Sequence, residues 1–264
     1  MKYRIGGALI LAAALLCAAA GCGGTALKHT RHLVAETCTD QRPFLFEEDG
    51  APAGFDADLL RLLAARAGYT AELRRTSRTR LFAHLQRGYA DLALSSLVLT
   101  TDNARSYRYS APYFLNRQAI LTADPSITSA EDLRDKVTAV RPGSAGQFAL
   151  EARFGQDAPA LRKTADAAEA LLAGEADAFV GDEPYLRLLL REYPAHRLRL
   201  VEDERAFPPE RYVILYPKNG DPEVRRALGR ALSALIADGT YAALYRKWFH
   251  EEPPPALRDA VYGK

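Results

Sequence analysis

Hydrophobic positions along the chain switch repeatedly between a two-residue and a three-to-four-residue period. Leu33 to Thr37 reads as a strand, and Thr70 to Arg75 alternates as a second. Between them, Gly54-Phe55-Asp56 opens a helix with Asp56 as the expected N-cap. Phe55, Leu59, Leu62 and Leu63 recur on one face, and Gly68 is the stop. A short helix from about Thr79 to Arg87 ends at Gly88, and Asp91 to Leu97 is a compact apolar strand with the polar end Ser95-Ser96. Thr100 to Ser106 is a short helix. Further strands are expected at Gln118–Ala123, Lys136–Val140, Ala176–Val180, Arg197–Val201 and Tyr212–Tyr216. The intervening helices follow Ser129, Ser144, Asp166 and Asp182. Asp221-Pro222 starts a helix lined by Val224, Leu228, Leu232 and Leu235, and Thr240–Phe249 forms another. Strands alternating with helices imply an α/β fold with largely parallel sheets covered on both faces. Ser95-Ser96, at a strand end, is the first place to expect a ligand.

The beginning of the chain departs from this pattern. Lys2 and Arg4 precede the uncharged apolar run Gly6–Ala20, which is short for a membrane span, and Ala19-Ala20-Gly21-Cys22 follows. The segment reads as a signal peptide over residues 1–21. Cys22 becomes a lipidated N-terminus if the site is a lipobox; the alternative is ordinary cleavage near Gly21, leaving a soluble chain. Residues 22–32 read as a lipid-anchored linker, in which His29 and His32 are solvated rather than metal ligands.

Composition narrows the function. The 264 residues carry 35 basic and 33 acidic side chains, and cleavage before Cys22 removes two basic ones and no acid, leaving a formally neutral chain. A neutral surface argues against nucleic acid as a partner. Cys38 has no second cysteine to pair with once Cys17 is removed and Cys22 is blocked. No nucleophile triad, metal set or phosphate loop appears, so neither a cofactor nor an enzyme activity is expected.

Several local patterns occur in a characteristic order. They are Pro43-Phe44, Gly54-Phe55-Asp56-x-Asp58-Leu59, Gly88-x-x-Asp91-Leu92, Ser95-Ser96, Tyr109-Ser110-x-Pro112-Tyr113, Gly143-Ser144, Asp177-Ala178 with Asp182, and Asp238-Gly239-Thr240-Tyr241 leading to Lys247-Trp248-Phe249. In these, from Pro43 to Phe249, the chain resembles the extracytoplasmic solute-binding proteins of family 3, the polar amino-acid receptors of ABC importers. The resemblance implies a two-lobed, type II periplasmic-binding-protein-like fold with two crossover strands as hinge. Its first lobe would be residues 33–122 plus 213–249, its second 123–212, and 250–264 would be a flexible tail. It also implies a monomer outside the cytoplasm that holds a small polar solute in the cleft, with an ABC permease and, through Cys22, the membrane as partners.

The resemblance assigns site residues too. Asp182 matches the acid that holds a solute ammonium; the alternative, which can hold at the same time, is an N-cap for the helix starting at Glu183. Ser95 and Ser96 match hydroxyls that bond the ligand, and Ser144 with the N–H groups after Gly143 matches an anion site at a helix start. The family's carboxylate-clamping Arg falls on Asn103, which cannot replace that charge. Arg80 and Arg105 are the candidate substitutes, Arg80 the better placed, with surface ion pairs as their alternative role. Gln41 stands where relatives carry an aromatic lid, and Phe44 is expected in the core. A cyclohexadienyl-dehydratase-like enzyme, which this fold also supports, and a sensory binding protein are the alternative functions.

Overall fold

The computed structural model describes residues 31–262 apart from 39 and 156–159, so Cys22 and its processing site lie outside the described residues. Two five-stranded sheets organise the chain. The first contains β1 (Arg31–Thr37), β4 (Tyr69–Arg75), β5 (Leu92–Ala93), β6 (Arg108–Tyr109) and β14 (Leu215–Tyr216), in the order β4-β1-β5-β14-β6. Of these, β4, β1 and β5 are parallel and β14 runs antiparallel to both its neighbours. A small hairpin of β2 (Phe46–Glu48) and β3 (Ala51–Ala53) precedes helix α1 (Phe55–Ala67). The second sheet contains β8 (Gln118–Thr122), β9 (Val137–Val140), β10 (Ala160–Lys163), β11 (Ala178–Asp182) and β12 (Arg199–Val201), in the order β10-β9-β11-β8-β12. Here β8 is antiparallel to β11 and β12.

Helices fill the connections: α2 (Arg78–Arg87), α3 (Thr101–Ser106), α4 (Ala145–Phe154), α5 (Ala167–Leu172), α6 (Glu183–Glu192), α7 (Pro222–Ala237), α8 (Thr240–Phe249) and α9 (Pro255–Tyr262). The expected stops hold, with Gly68 and Gly88 both left-handed and returning N–H bonds to the last turns of α1 and α2.

The sheets are joined by two short crossover strands, β7 (Phe114–Asn116) and β13 (Glu210–Tyr212), which pair antiparallel with Glu210 opposite Asn116 and Tyr212 opposite Phe114. An aromatic cluster holds this ladder. The Phe114 ring lies 4.9 Å from Phe44, 5.8 Å from Tyr212, 5.5 Å from Tyr245 and 5.0 Å from Phe249. Each such pair adds roughly 0.5–1.5 kcal/mol beyond burial. Phe44 is core, as expected. The chain therefore leaves the first sheet from a fixed footing, and the residues just past it, Asn116 to Gln118, sit at the junction.

The structure corrects several expectations. Strand 118–122 belongs to the second sheet, not to the first lobe, and Tyr212 belongs to the crossover ladder. The run Ala119-Ile120-Leu121 suits either core, and only its long-range partners decide. Residues 250–264 are not simply a tail, because α9 buries Leu257 in the first core and Tyr262 donates its hydroxyl to Ser233 O at 3.0 Å. Arg31 and His32 start β1 rather than ending a linker. Asp56 does not cap α1: Gly54 is the N-cap, no side chain caps it, and Asp56 is buried at the second helical position.

Candidate binding site at the sheet junction

Register brings four polar side chains to one point. Asp182 ends β11 opposite Gln118 on β8, and Glu210 on β13 faces Asn116 on β7. Asn116 and Gln118 are two residues apart and so project on the same side. Asp182 Oδ1 accepts from Asn116 Nδ2 at 2.8 Å, Gln118 Nε2 at 2.7 Å and the Tyr212 hydroxyl at 3.1 Å. Its Oδ2 accepts from Gln41 Nε2 at 3.2 Å. Although Asp182 occupies the N-cap position of α6, its side chain makes no cap bond. The carboxylate is turned from the helix into the junction, which removes the capping role from the two roles it was expected to fill.

Gln41 reaches this point from the segment after β1, whereas the rest of the cluster belongs to the crossover strands and the second sheet. Glu210 is half-buried beside Asp182. Burial pushes its carboxyl up, the Asn116 bond pulls it down, the Asp182 charge pushes it up, and the Gln118 bond opposes, with a net rise. Tyr212 is likewise pushed far up, chiefly by burial. Gly146 lets α4 close against this wall. A Cβ there would lie 2.8 Å from Val180 O and 3.2 Å from Gln118 Oε1.

A second polar group lies under the end of β5. Asp56 Oδ2 accepts from Ser96 N at 3.2 Å, Ser96 Oγ at 3.4 Å and the Tyr113 hydroxyl at 3.4 Å. These bonds hold Ser96 at φ 47°, a left-handed conformation uncommon for a side-chain-bearing residue. Burial dominates Asp56 and raises its carboxyl to about 7 despite the three donors.

The other expected site residues are placed as follows. Ser95 is buried, and its hydroxyl accepts from Cys38 N at 2.8 Å and from Thr37 Oγ1 at 3.2 Å. It ties the ends of β1 and β5 together. Ser96 is held from below by Asp56. Ser144 caps α4 by accepting from Gln147 N, Ser144 N itself donates to Arg141 O at 3.1 Å, and Gln147 Oε1 takes Gly143 N at 2.8 Å, so two of the N–H groups after Gly143 expected for an anion are already bonded. Asn103 donates Nδ2 to Val98 O at 2.9 Å and braces its own loop. Arg105 is exposed on α3, and Arg80 is exposed on the first turn of α2. Neither guanidinium has an ion-pair partner among the described residues, and no contact joins either to Asp182. The structure thus brings Asp182 and Gln41 together and leaves Ser95, Ser96, Ser144, Asn103, Arg80 and Arg105 outside that cluster.

Sequence reasoning missed Asn116, Gln118, Glu210, Tyr212 and the true role of Asp56. A signal was present: Asn116-Arg117-Gln118 is a polar break between the apolar runs Tyr113–Leu115 and Ala119–Leu121, with Asn116 and Gln118 two positions apart, and Glu210 and Tyr212 repeat that spacing.

Comparison with known proteins agrees with this architecture. Residues 33–251 match the family of bacterial extracellular solute-binding proteins, family 3. The amino-acid-binding protein AabA of Dichelobacter nodosus is 33% identical over 214 residues, covering 77% of this chain and 81% of that one. The arginine-, lysine-, histidine-binding protein ArtJ of Geobacillus stearothermophilus superposes with a TM-score of 0.75 at 32% identity, covering 88% of this chain and all of that one. The ancestral amino acid-binding protein AncCDT-1, a precursor of cyclohexadienyl dehydratase, superposes with a TM-score of 0.69 at 30% identity over 83% of this chain and 95% of that one. From its two sheets, its crossover ladder and this match along its length, the chain belongs to the bacterial extracellular solute-binding proteins of family 3.

Proposed function

We propose that the protein is a lipid-anchored, extracytoplasmic receptor that captures a small polar solute, an amino acid or a related zwitterion or ion, between two lobes and delivers it to an ABC importer. The first lobe is taken as residues 31–113 with 213–262 and the second as 118–209, with β7 and β13 as hinge. The observation that carries the reading is the cluster on Asp182. A carboxylate with four neutral donors and no ion-pair partner among the described residues is oriented but left uncompensated in charge. That arrangement suits a solute ammonium. Gln41 contributes from the first-lobe side, so solute capture and lobe closure act on one residue.

Denaturing release and mass spectrometry of the copurifying molecule, followed by calorimetry with amino acids, amines and organic acids, tests the reading. Asp182→Asn is expected to weaken an ammonium-bearing solute at least tenfold, since a charge-assisted bond is worth about 1.5–3 kcal/mol. Silence across the whole panel would remove the solute-binding role. Metabolic labelling with a palmitate analogue is expected to mark the full chain and not its Cys22→Ser variant.

A dehydratase reading is favoured by one feature, the raised carboxyl of Glu210 next to Asp182, which is the form an acid catalyst needs. Turnover of prephenate or arogenate by the purified protein decides that alternative.

A further inference from the structure

The carboxylates of Asp182 and Glu210 hang on the same two amide nitrogens. Asn116 Nδ2 donates to Asp182 Oδ1 and to Glu210 Oε2, both at 2.8 Å. Gln118 Nε2 donates to the same two oxygens, at 2.7 and 3.2 Å. Two acceptors that share two donors are held side by side. Neither acid has an ion-pair partner among the described residues. A further observation lies on the same amide: Asn116 is 2% exposed, and its Oδ1 is buried with no hydrogen-bond partner among the described residues. Two carboxylate oxygens therefore converge where no cation of the described chain reaches.

The neighbouring charges are committed elsewhere. Arg117 turns to Glu183, Glu202 and Glu204, and Arg187 bonds Glu183 and Glu202. Arg42 faces Glu192, Arg211 is exposed, and α4 presents Gly146. The Tyr212 hydroxyl donates to Asp182 and stays protonated. Two adjacent carboxylates at a partly buried point cannot both ionise at low cost.

Resting on the solute-binding reading above, we propose that Glu210 is the second carboxylate of the Asp182 seat, that the empty seat holds one proton between the two acids, and that a solute's cationic nitrogen displaces this proton on binding. The carboxyl O–H bond breaks, its proton passes to solvent, and the bound ammonium or guanidinium keeps all of its own protons. The seat thereby selects cationic solutes over neutral ones and binds them less well as pH falls. Asn103, standing where a carboxylate clamp is expected, fits a site whose recognition is concentrated on the cationic end.

Carboxyl carbon NMR of the ligand-free protein tests the shared proton. In the wild type the two acids are expected to titrate as a coupled pair with one raised step, and in Glu210→Gln the raised step is expected to vanish. Two carboxyls titrating independently in the ordinary range would overturn the shared proton. Calorimetry with L-arginine, L-histidine and putrescine, each in two buffers of different ionisation heat, tests the displacement. About half a proton should be released per solute at the raised step and about one well below it, where affinity falls about tenfold per pH unit. Glu210→Gln should abolish both effects while keeping its thermal midpoint. If only neutral or anionic solutes bind, or if cations bind with no proton release, the inference fails and the receptor reading stands. If no solute of any class binds, both fail.

Discussion

Asp56 makes folding stability depend on pH in the direction opposite to that of an ordinary carboxylate. It is fully buried under the β5 end, one oxygen bonded to Ser96 and Tyr113 and the other, Oδ1, without a partner among the described residues. Burial raises its carboxyl from 3.8 to about 7 in the folded chain. The folded state therefore keeps a proton that the unfolded chain has given up between those values. Its contribution is fully present below about pH 4, declines as pH rises, and is gone above about pH 7. Each pH unit between the two values is worth about 1.4 kcal/mol, so the loss is on the order of 4 kcal/mol. Asp56→Asn keeps an oxygen that can accept from Ser96 N and Tyr113 but cannot ionise. Urea unfolding of both proteins at intervals from pH 4 to 8, followed by the fluorescence of Trp248, the single tryptophan, reports on the core beside Asp56. The difference, wild type minus variant, cancels every other titrating group. It should fall by about 4 kcal/mol from pH 4 to 7.5. A difference that stays flat to within about 1 kcal/mol would show that Asp56 ionises as it does in water, and the burial argument would be wrong.

Three further outcomes follow from packing. Asn116→Ala strips both Asp182 and Glu210 of a donor and should cost about 1–3 kcal/mol in urea unfolding, more at high pH than at low, because the Glu210 carboxyl, which burial raises, needs the donor most once ionised; no loss would mean that water replaces the amide. Gly146→Ala places a methyl 2.8 Å from Val180 O, so α4 must move off β11, and the thermal midpoint should drop by an amount equivalent to about 1–3 kcal/mol. Leu257→Ala empties part of the core covered by α9 and should cost about 2–5 kcal/mol, whereas an unchanged midpoint would return residues 250–264 to the status of a tail.

Most of the fold was legible in the sequence because its determinants are local. The periods of Leu59–Leu63 and Val224–Leu235, the stops at Gly68 and Gly88 and the Asp221-Pro222 start act within one or two turns, and each acts as expected. The place of Asp182 at the end of an apolar strand was legible as well, since a polar residue closing such a strand stands out. The opaque parts depended on pairing. Strand 118–122 could have joined either sheet, and Ser95, which looks like a ligand hydroxyl in sequence, is used to lace Thr37 and Cys38 to the β5 end.

By itself, then, the chain determined that strands and helices alternate, where the turns fall, and which segments carry polar residues at strand ends. Only the tertiary structure decided which of those residues meet. Asn116, Gln118, Asp182 and Glu210 are up to 94 positions apart, and their convergence is set by the registers of β7 on β13 and β8 on β11. Register is a property of a pair of strands and of the aromatic footing beneath them, and a one-residue slip would turn each of these side chains to the opposite face.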